Sequence, residues 1–336
     1  MLSFSSSCKS KTRLDGKIIV ITGANIGIGK EAARDFYRRG ARVILACRDL
    51  NKANAAAEDI KTFPPSKPER EQFKGEPGEI KVCKLNLCSL SSVQECAAFL
   101  LQTEPTIDIL VNNAGVAACP YQLTEDGYEV QFQTNHLGHF LLTLLLLPKL
   151  KASPSSRIVN VSSKVHTCIY FGHIDYEKLN SKRHYSPLGA YARSKLANVL
   201  FTKELAQRLK EANINSITVY ALHPGVINTA AARNFFTAWF PGSGTIFQMF
   251  SQPFTKTMEQ GAQTTIYCSV DEEVGKESGE YYQECAKCFA SALARDKDKA
   301  IELWNKSCEM IGIKPIKDIN EFLETSHSNL LNPSKK

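Results

Sequence analysis

Short apolar runs alternate with amphipathic segments along most of the chain. Residues 18–21 and 42–46 are compact and almost wholly apolar, as expected for strands that are buried on both faces. Between these runs, Ile28, Ala32 and Phe36 recur at a helical spacing, which predicts an amphipathic helix. A strand, a helix and a second strand in this order form the unit from which parallel sheets are built.

The same alternation continues to about residue 222 and predicts the architecture of the chain. The predicted strands cover residues 18–21, 42–46, 80–85, 107–111, 157–161 and 216–222. Further predicted helices cover residues 51–61, 91–101, 126–147 and 187–210. We therefore expect an α/β protein with a doubly wound parallel sheet of the Rossmann type, covered by helices on both faces, in a single domain.

Segments outside this alternation define the expected boundaries. Residues 63–79 hold four prolines and are predicted to form an exposed loop. Residues 226–258 are rich in Phe and are interpreted as a lid over an apolar substrate. With an N-terminal extension at 1–13 and a C-terminal tail at 313–336, the domain is expected to span residues 14–312.

Charge and cysteine content narrow the class of protein. The 336 residues include 41 Lys and Arg against 34 Asp and Glu, and the opposite charges are interspersed, which disfavours a nucleic-acid binder. The 11 cysteines follow no disulfide or metal-binding pattern, so we expect reduced thiols, no metal and a cytoplasmic location. Residues 137–148 form the longest apolar stretch, which is too short to cross a bilayer, and the chain shows no secretory signal.

A glycine-rich turn follows the first predicted strand directly. Gly23, Gly27 and Gly29 lie between that strand and the next helix, with a spacing that differs from the common GxGxxG fingerprint. Glycines allow a sharp turn and a close approach of backbone to a pyrophosphate, and the helix N-terminus offers free N–H groups to the anion. The turn predicts a dinucleotide site that also includes Asn25, Ile26 and Ile28.

The end of the second predicted strand distinguishes between the two nicotinamide dinucleotides. An acidic residue there would bind the ribose 2′-hydroxyl of NAD, whereas an Arg accommodates the 2′-phosphate of NADP. This chain has Arg48 at that point, although Asp49 follows it. We therefore expect NADP(H) as the cofactor, with Arg48 paired to the phosphate.

A tyrosine and a lysine in the last long predicted helix suit acid–base chemistry. Tyr191 and Lys195 are four residues apart, so they lie on one helix face, one turn apart. A tyrosine normally has a pKa of about 10, and a neighbouring ammonium group would lower that pKa. Because a YxxxK pair is common by chance, the pair alone does not establish a catalytic site.

Taken together, the motifs resemble those of the short-chain dehydrogenase/reductase superfamily. The resemblance runs from about residue 14 to residue 312 and is carried by the glycine turn, NNAG at 112–115, Asn135, the serine pair at 162–163, the YxxxK pair and Pro-Gly at 224–225. Within the superfamily, the segments QFQTNHLGHFLLT, RIVNVSSKVH and YARSKLANVLFTKELA are similar to those of NADP(H)-dependent retinol dehydrogenases.

The resemblance implies a catalytic role for four residues. Tyr191 would be the general acid or base at the substrate oxygen, and Lys195 would lower its pKa and hold the nicotinamide ribose. Ser163 would bind and polarise the substrate oxygen, and Asn135 would anchor a water that passes protons to solvent. The interval between Ser163 and Tyr191 is longer than usual in the superfamily, so residues 180–188 are expected to bulge at the mouth of the site.

The resemblance also implies which residues hold the cofactor. Beyond the glycine turn and Arg48, they are Asn86, Leu87, Asn113, Ala114, Gly115, Tyr191, Lys195, Pro224, Gly225 and Thr229. Asn86 stands where the superfamily usually has an Asp near the adenine, and an amide oxygen can still accept a hydrogen bond from the adenine amino group.

These features predict NADPH-linked reduction of a lipophilic aldehyde or ketone, with retinal as the best single substrate. Steroid, prenol-derived or lipid-peroxidation carbonyls are alternatives, and a catalytically silent NADP-binding regulator is an alternative of another class. Homodimerisation through the helices at 126–147 and 187–210 is a further expectation from the resemblance. We expect no N-terminal membrane anchor of the kind that many relatives have, while peripheral contact with an intracellular membrane stays open.

Overall fold

The computed structural model describes residues 6–62, 73–168, 174–227, 256–327 and 330. Eight strands form one sheet in the order β3-β2-β1-β4-β5-β6-β7-β8. The first seven strands are parallel, and β8 pairs with β7 in the antiparallel sense. The strands are β1 (Ile18–Thr22), β2 (Arg42–Cys47), β3 (Glu79–Lys84), β4 (Ile109–Asn112), β5 (Ser156–Val161), β6 (Ile217–His223), β7 (Glu280–Gln283) and β8 (Ala286–Cys288).

Helices cover both faces of the sheet and bury a separate apolar core on each side. On one face lie α1 (Gly27–Arg38), α2 (Leu50–Thr62) and α6 (Met258–Val270). On the other face lie α3 (Leu90–Thr103), α4 (Gly138–Lys151), α5 (Pro187–Glu211) and α7 (Lys297–Met310). The predicted doubly wound α/β fold is therefore confirmed, with an antiparallel edge strand that was not predicted. No helix in the described ranges is long and apolar enough to span a bilayer.

The strand order places the functional end of the molecule. The chain runs outward from β1 through β2 to β3 and then returns to the other side of β1 with β4. At such a reversal, the loops that follow two adjacent strands diverge and leave a crevice at the carboxyl ends of the strands. Thr22 and Asn112 end these two strands, so the residues predicted to bind a cofactor lie around this crevice.

The long helix predicted at 126–147 is interrupted and starts later, which corrects the sequence-based prediction. The Glu129 carboxylate accepts hydrogen bonds from the backbone N–H groups of Gln131 and Phe132, so the helical segment begins at Val130. A π-helical turn then occupies Gln133–Leu137, and regular α-helix resumes in α4. Such turns carry one extra residue and occur frequently at functional sites.

The C-terminal segment completes the core on the α4 and α5 side. Trp304 of α7 is 1% exposed, its ring lies 5.2 Å from that of Phe140, and its Nε1 donates a hydrogen bond to the Ile316 carbonyl. Ile319 and Phe322, beyond α7, are buried in the same core. The part of the expected tail before residue 327 therefore packs on the domain.

Replacing Trp304 with Ala should destabilise the whole fold. Removing a buried aromatic side chain costs about 3–5 kcal/mol, because the cavity left behind cannot collapse fully. Ile301 on the same helix is 43% exposed, and its replacement with Ala should cost under about 1 kcal/mol. Urea unfolding measures the free energy of unfolding of both variants. A loss for Trp304→Ala as small as the one expected for Ile301→Ala would contradict the burial of Trp304 in the core.

Candidate active site

A cleft of about 710 Å³ opens at the carboxyl ends of β1 to β6. It contains all but two of the residues predicted from the sequence, which come from several separate stretches of the chain. The predicted residues that line it are Gly23, Asn25, Ile26, Gly27, Ile28, Gly29, Arg48, Asn86, Leu87, Asn113, Ala114, Gly115, Ser163, Tyr191, Lys195, Pro224 and Gly225. Asn135 lies behind the wall of the cleft, and Thr229 lies outside the described residues.

The glycine turn packs against the loop that follows β4 with no room for side chains. A Cβ on Gly23 would lie 2.8 Å from the Cβ of Ala114, and a Cβ on Gly29 would collide with the Asn113 side chain. Gly23 and Gly27 also have φ values of 66° and 64°, which other residues rarely adopt. The geometry therefore requires glycine at these positions.

The same turn presents an anion-binding surface. Helix α1 begins at Gly27, and the side chain of its N-cap residue, Ile26, makes no capping hydrogen bond. The first N–H groups of α1 are therefore not capped by that side chain, and they carry the positive end of the helix dipole. A pyrophosphate fits this surface, as the sequence predicted for a dinucleotide.

Arg48 and Asp49 lie at the rim of the cleft with different surroundings. Arg48 is exposed, lines the cleft and forms no ion pair among the residues that the structure describes. Asp49 instead accepts a hydrogen bond from the Lys52 backbone N–H of α2 and pairs with the Lys52 ammonium group at 3.3 Å. The Asp49 carboxylate, which lies just after the end of β2, is thus held by Lys52 of α2.

Three side chains that could act on a substrate meet on the floor of the cleft. The Ser163 side chain is close enough to the Tyr191 phenol to lower its pKa, and the Lys195 ammonium group lies 5.8 Å from the centroid of the Tyr191 ring. Lys195 Nζ donates a hydrogen bond to the Val161 carbonyl at 2.9 Å, and the Ser162 hydroxyl donates one to the Lys195 carbonyl. These contacts attach the end of β5 to α5.

Burial sets the protonation of the tyrosine and the lysine. Desolvation raises the pKa of Tyr191 above its ordinary value, and only the hydrogen bond from Ser163 opposes it. Desolvation also lowers the pKa of Lys195 to about 8. The lowering of the Tyr191 pKa by Lys195 stays a prediction, since Lys195 is not among the groups that shift this pKa here. Tyr191 is a neutral phenol at neutral pH and can donate a proton.

The side chain of Asn135 is bonded entirely to protein. Its Oδ1 accepts a hydrogen bond from the Val116 N–H, and its Nδ2 donates to the Val116 carbonyl and to the Ser194 hydroxyl. A water anchored by Asn135, as the sequence predicts, would therefore bind the backbone carbonyl. That carbonyl lies in the π-helical turn and also faces the Nδ1 atom of His139.

Comparison with known proteins agrees with this arrangement. The family model for short chain dehydrogenases matches residues 17–238. Human retinol dehydrogenase 12 is 43% identical over 307 residues, which are 91% of this chain and 90% of that protein. The chain belongs to the short-chain dehydrogenase family. This short-chain dehydrogenase is therefore an oxidoreductase that acts on CH–OH groups, and it is similar to retinol dehydrogenases.

Solved structures give the same fold. A protein from Mycobacterium paratuberculosis, described as uncharacterised, is 33% identical with a TM-score of 0.71, and the match covers 93% of this short-chain dehydrogenase and 99% of that chain. A short-chain dehydrogenase from Shigella flexneri, solved in complex with NADP, is 25% identical with a TM-score of 0.58. That match covers 82% of this chain and 100% of the other.

Sequence reasoning assigned no role to two buried histidines of this short-chain dehydrogenase that hold its predicted catalytic residues. His166 Nδ1 bonds to the Ser163 carbonyl at 2.7 Å, and its Nε2 accepts a hydrogen bond from the Ser291 N–H. His139 lies one helical turn after Asn135 and bonds to its carbonyl at 3.1 Å. The sequence shows that His166 lies three residues after Ser163 and that His139 lies four residues after Asn135. It does not show what binds the second ring nitrogen of each histidine.

Proposed function

We propose that this short-chain dehydrogenase reduces a lipophilic aldehyde or ketone with NADPH, and that retinal is its best single substrate. The observation that supports the proposal most directly is a neutral Tyr191 phenol at the floor of the cleft that also contains the glycine turn. Reduction of a carbonyl needs a proton donor at the oxygen, and a phenol whose pKa is raised by burial fills that role at neutral pH.

The choice of NADPH over NADH rests on the rim of the cleft. Arg48 lines the cleft and would pair with a 2′-phosphate, since a guanidinium group binds phosphate oxygens in a bidentate manner. Asp49, which could favour NADH, is held by Lys52. The related Shigella flexneri protein was solved with NADP, which is consistent with this choice. Asn86 and Leu87 would contact the adenine, since both line the same part of the cleft.

The proposed mechanism assigns one task to each side chain on the floor. NADPH supplies the hydride when it is bound. Ser163 and Tyr191 donate hydrogen bonds to the substrate oxygen, and both bonds strengthen as negative charge develops there. Tyr191 then transfers its proton to that oxygen. Lys195 would hold the nicotinamide ribose and keep a positive charge beside the phenol, and Pro224 and Gly225 would lie along the nicotinamide. Thr229, which the sequence assigns to the same place, lies outside the described residues.

An apolar substrate is favoured by the residues around the catalytic side chains. Val116, Val165, Val226, Ile227 and Met258 line the same cleft as Ser163 and Tyr191. Apolar walls with a few polar groups at the reacting atom are typical of sites for lipophilic ligands. The proposed lid at 226–258 lies outside the described residues, apart from its two ends. Those ends are joined by a bridge between Ile227 and Lys256.

The proposal also concerns two contacts of the protein, one with a second copy of itself and one with a membrane. In α4, every residue except Pro148, Lys149 and Lys151 is buried within one chain, partly by α7. A homodimer through the helices at 126–147 and 187–210 stays a prediction. We propose peripheral contact with an intracellular membrane only as a route for a lipophilic substrate to reach the cleft.

The rate of reduction should depend on pH through Lys195. Because desolvation lowers the Lys195 pKa to about 8, the ammonium group is present below pH 8 and is lost as the pH rises through that value. We expect kcat/KM for aldehyde reduction to be level near pH 7 and to fall above about pH 8. In Lys195→Arg, whose guanidinium group stays charged, the remaining activity should lack this fall. A fall at the same pH in Lys195→Arg would assign it to another group.

A panel of carbonyl compounds tests the proposed function. The purified protein is mixed with NADPH and, separately, with all-trans-retinal, a steroid ketone, a long-chain aldehyde and a small water-soluble aldehyde. We expect kcat/KM to be highest for retinal and lowest for the small aldehyde, since only apolar substrates gain from the apolar walls. Equal values for all four would refute a lipophilic substrate. Binding of NADPH without turnover of any of them would favour the regulator.

A further inference from the structure

His139 lies between the cofactor-binding end of β1 and the π-helical turn. It belongs to α4 and is 2% exposed, and its two ring nitrogens have different partners. Nε2 lies 2.8 Å from the Thr22 hydroxyl at the end of β1, and Nδ1 lies 3.1 Å from the Asn135 carbonyl. One side chain thus joins the strand that leads into the glycine turn to the residue behind the catalytic floor.

The partners define which nitrogen carries the proton. A carbonyl can only accept a hydrogen bond, so Nδ1 must be the donor to Asn135. The Thr22 oxygen already accepts hydrogen bonds from the Asn113 and Ala114 N–H groups at 2.9 Å each. Its single proton has two possible acceptors, His139 Nε2 at 2.8 Å and the Val111 carbonyl at 3.5 Å, and the shorter distance favours Nε2, which is then unprotonated. The two ends therefore agree on a neutral ring with the proton on Nδ1.

Burial makes this state stable at neutral pH. Desolvation, together with the nearby Lys195 ammonium group, lowers the His139 pKa to about 4, although the hydrogen bond to the Asn135 carbonyl opposes this shift. The ring is thus neutral over the whole physiological range, so it acts as a fixed connector.

The hydrogen bonds continue from Asn135 to the catalytic helix. Asn135 Nδ2 donates to the Ser194 hydroxyl at 2.9 Å, and that hydroxyl donates to the Tyr191 carbonyl at 2.8 Å. A continuous series therefore runs from Thr22 through His139, Asn135 and Ser194 to Tyr191.

We propose that His139 is a positioning residue that couples the cofactor-binding end of β1 to the helix that carries Tyr191. Through Nε2 it orients Thr22, which holds the Asn113 and Ala114 amides against the glycine turn. Through Nδ1 it fixes the backbone of the π-helical turn, from which Asn135 reaches Ser194. The kinetic part of this inference rests on the proposed function, whereas the part on cofactor binding does not.

Two substitutions separate the two contacts of His139. In His139→Asn, the amide nitrogen takes the position of Nδ1 and keeps the bond to the Asn135 carbonyl, but the Thr22 hydroxyl loses its acceptor. In His139→Gln, the amide oxygen takes the position of Nε2 and keeps the bond to Thr22, but the Asn135 carbonyl loses its donor. The matched control is His136→Asn, because His136 is an equally buried residue of the π-helical turn, bonded instead to Ser307 of α7.

NADPH binding, followed by fluorescence titration, and steady-state kinetics are measured for all three variants. We expect His139→Asn to raise the Kd for NADPH about 10-fold, since Thr22 loses one hydrogen bond, and to keep kcat at saturating NADPH. His139→Gln should keep the Kd and lower kcat about 10- to 100-fold through misplacement of Tyr191. His136→Asn should lower Tm and change neither constant. The same defect in both His139 variants, or an unchanged kcat in His139→Gln, would overturn the proposal.

A measurement on the wild-type protein decides the case if the variants fail to fold. Nitrogen NMR of the histidine rings distinguishes the two neutral tautomers, and the His139 signal should show the proton on Nδ1. A proton on Nε2 would overturn the proposal whatever the substrate is. If wild-type protein turns over no carbonyl compound but His139→Asn still weakens NADPH binding, the proposed function fails and the coupling to the cofactor end stands.

Discussion

Replacing Tyr191 with Phe should lower kcat for retinal reduction about 100- to 10,000-fold, the range expected for loss of a general acid. In the proposed mechanism the Tyr191 phenol is the proton donor, and desolvation by burial, which raises its pKa, keeps it neutral. The ring itself stays in place, and the glycine turn is untouched. We therefore expect the Kd for NADPH to change by less than about threefold, because the variant loses only one hydrogen bond near the cofactor.

The matched control for this variant is Tyr220→Phe. Tyr220 is also buried, and its hydroxyl donates a hydrogen bond to the Val274 carbonyl, but it does not line the cleft. Its substitution should lower the free energy of unfolding by about 1 kcal/mol and leave kcat unchanged. A similar loss of activity in both variants, or normal activity in Tyr191→Phe, would contradict the role assigned to Tyr191.

Replacing Arg48 with Ala should raise KM for NADPH about 10- to 100-fold and leave KM for NADH nearly unchanged. The expected change corresponds to loss of one charged hydrogen-bonding partner of the 2′-phosphate, about 1.5–3 kcal/mol. The preference for NADPH should then disappear, since the Asp49 carboxylate is held by Lys52 and does not replace the lost contact with one to the NADH ribose. Initial rates with both cofactors measure the change.

Lys84→Ala provides the control for general electrostatic attraction. Lys84 is exposed at the end of β3, in register with Cys47 at the end of β2, but it does not line the cleft. Its removal takes away one positive charge near Arg48 without removing a direct contact. Equal effects of the two substitutions on KM for NADPH would show that the preference arises from net charge and not from Arg48.

Most of the sheet could be predicted because its strands are buried on both faces. Such strands appear in the sequence as continuous apolar runs, and all six predicted strands are present within two residues of their predicted ends. Strands β7 and β8 were missed because they are short, and Ala286 and Lys287 of β8 are exposed at the sheet edge. The later start of the helix predicted at 126–147 depends on the Glu129 carboxylate, whose direction the sequence does not reveal.

The site could be predicted to a similar extent, for a different reason. The glycine turn, the NNAG loop and the YxxxK pair each sit at the end of a strand or on one helix face, so spacing alone places them. The protonation of Tyr191 could not be predicted, because it depends on how deeply the phenol is buried. The part played by His139 depends on two partners far apart in sequence, Thr22 and Asn135, which only the fold brings together.

We propose that this short-chain dehydrogenase transfers reducing equivalents from NADPH to a lipophilic carbonyl compound. The most direct test mixes purified protein with NADPH and all-trans-retinal, and measures NADPH oxidation and retinol formation in the same sample. We predict that retinol appears in a one-to-one ratio with the NADPH consumed, and that NADH supports a much lower rate. Protein that binds NADPH but forms no retinol, and oxidises no NADPH with any compound of the carbonyl panel, would contradict the claim.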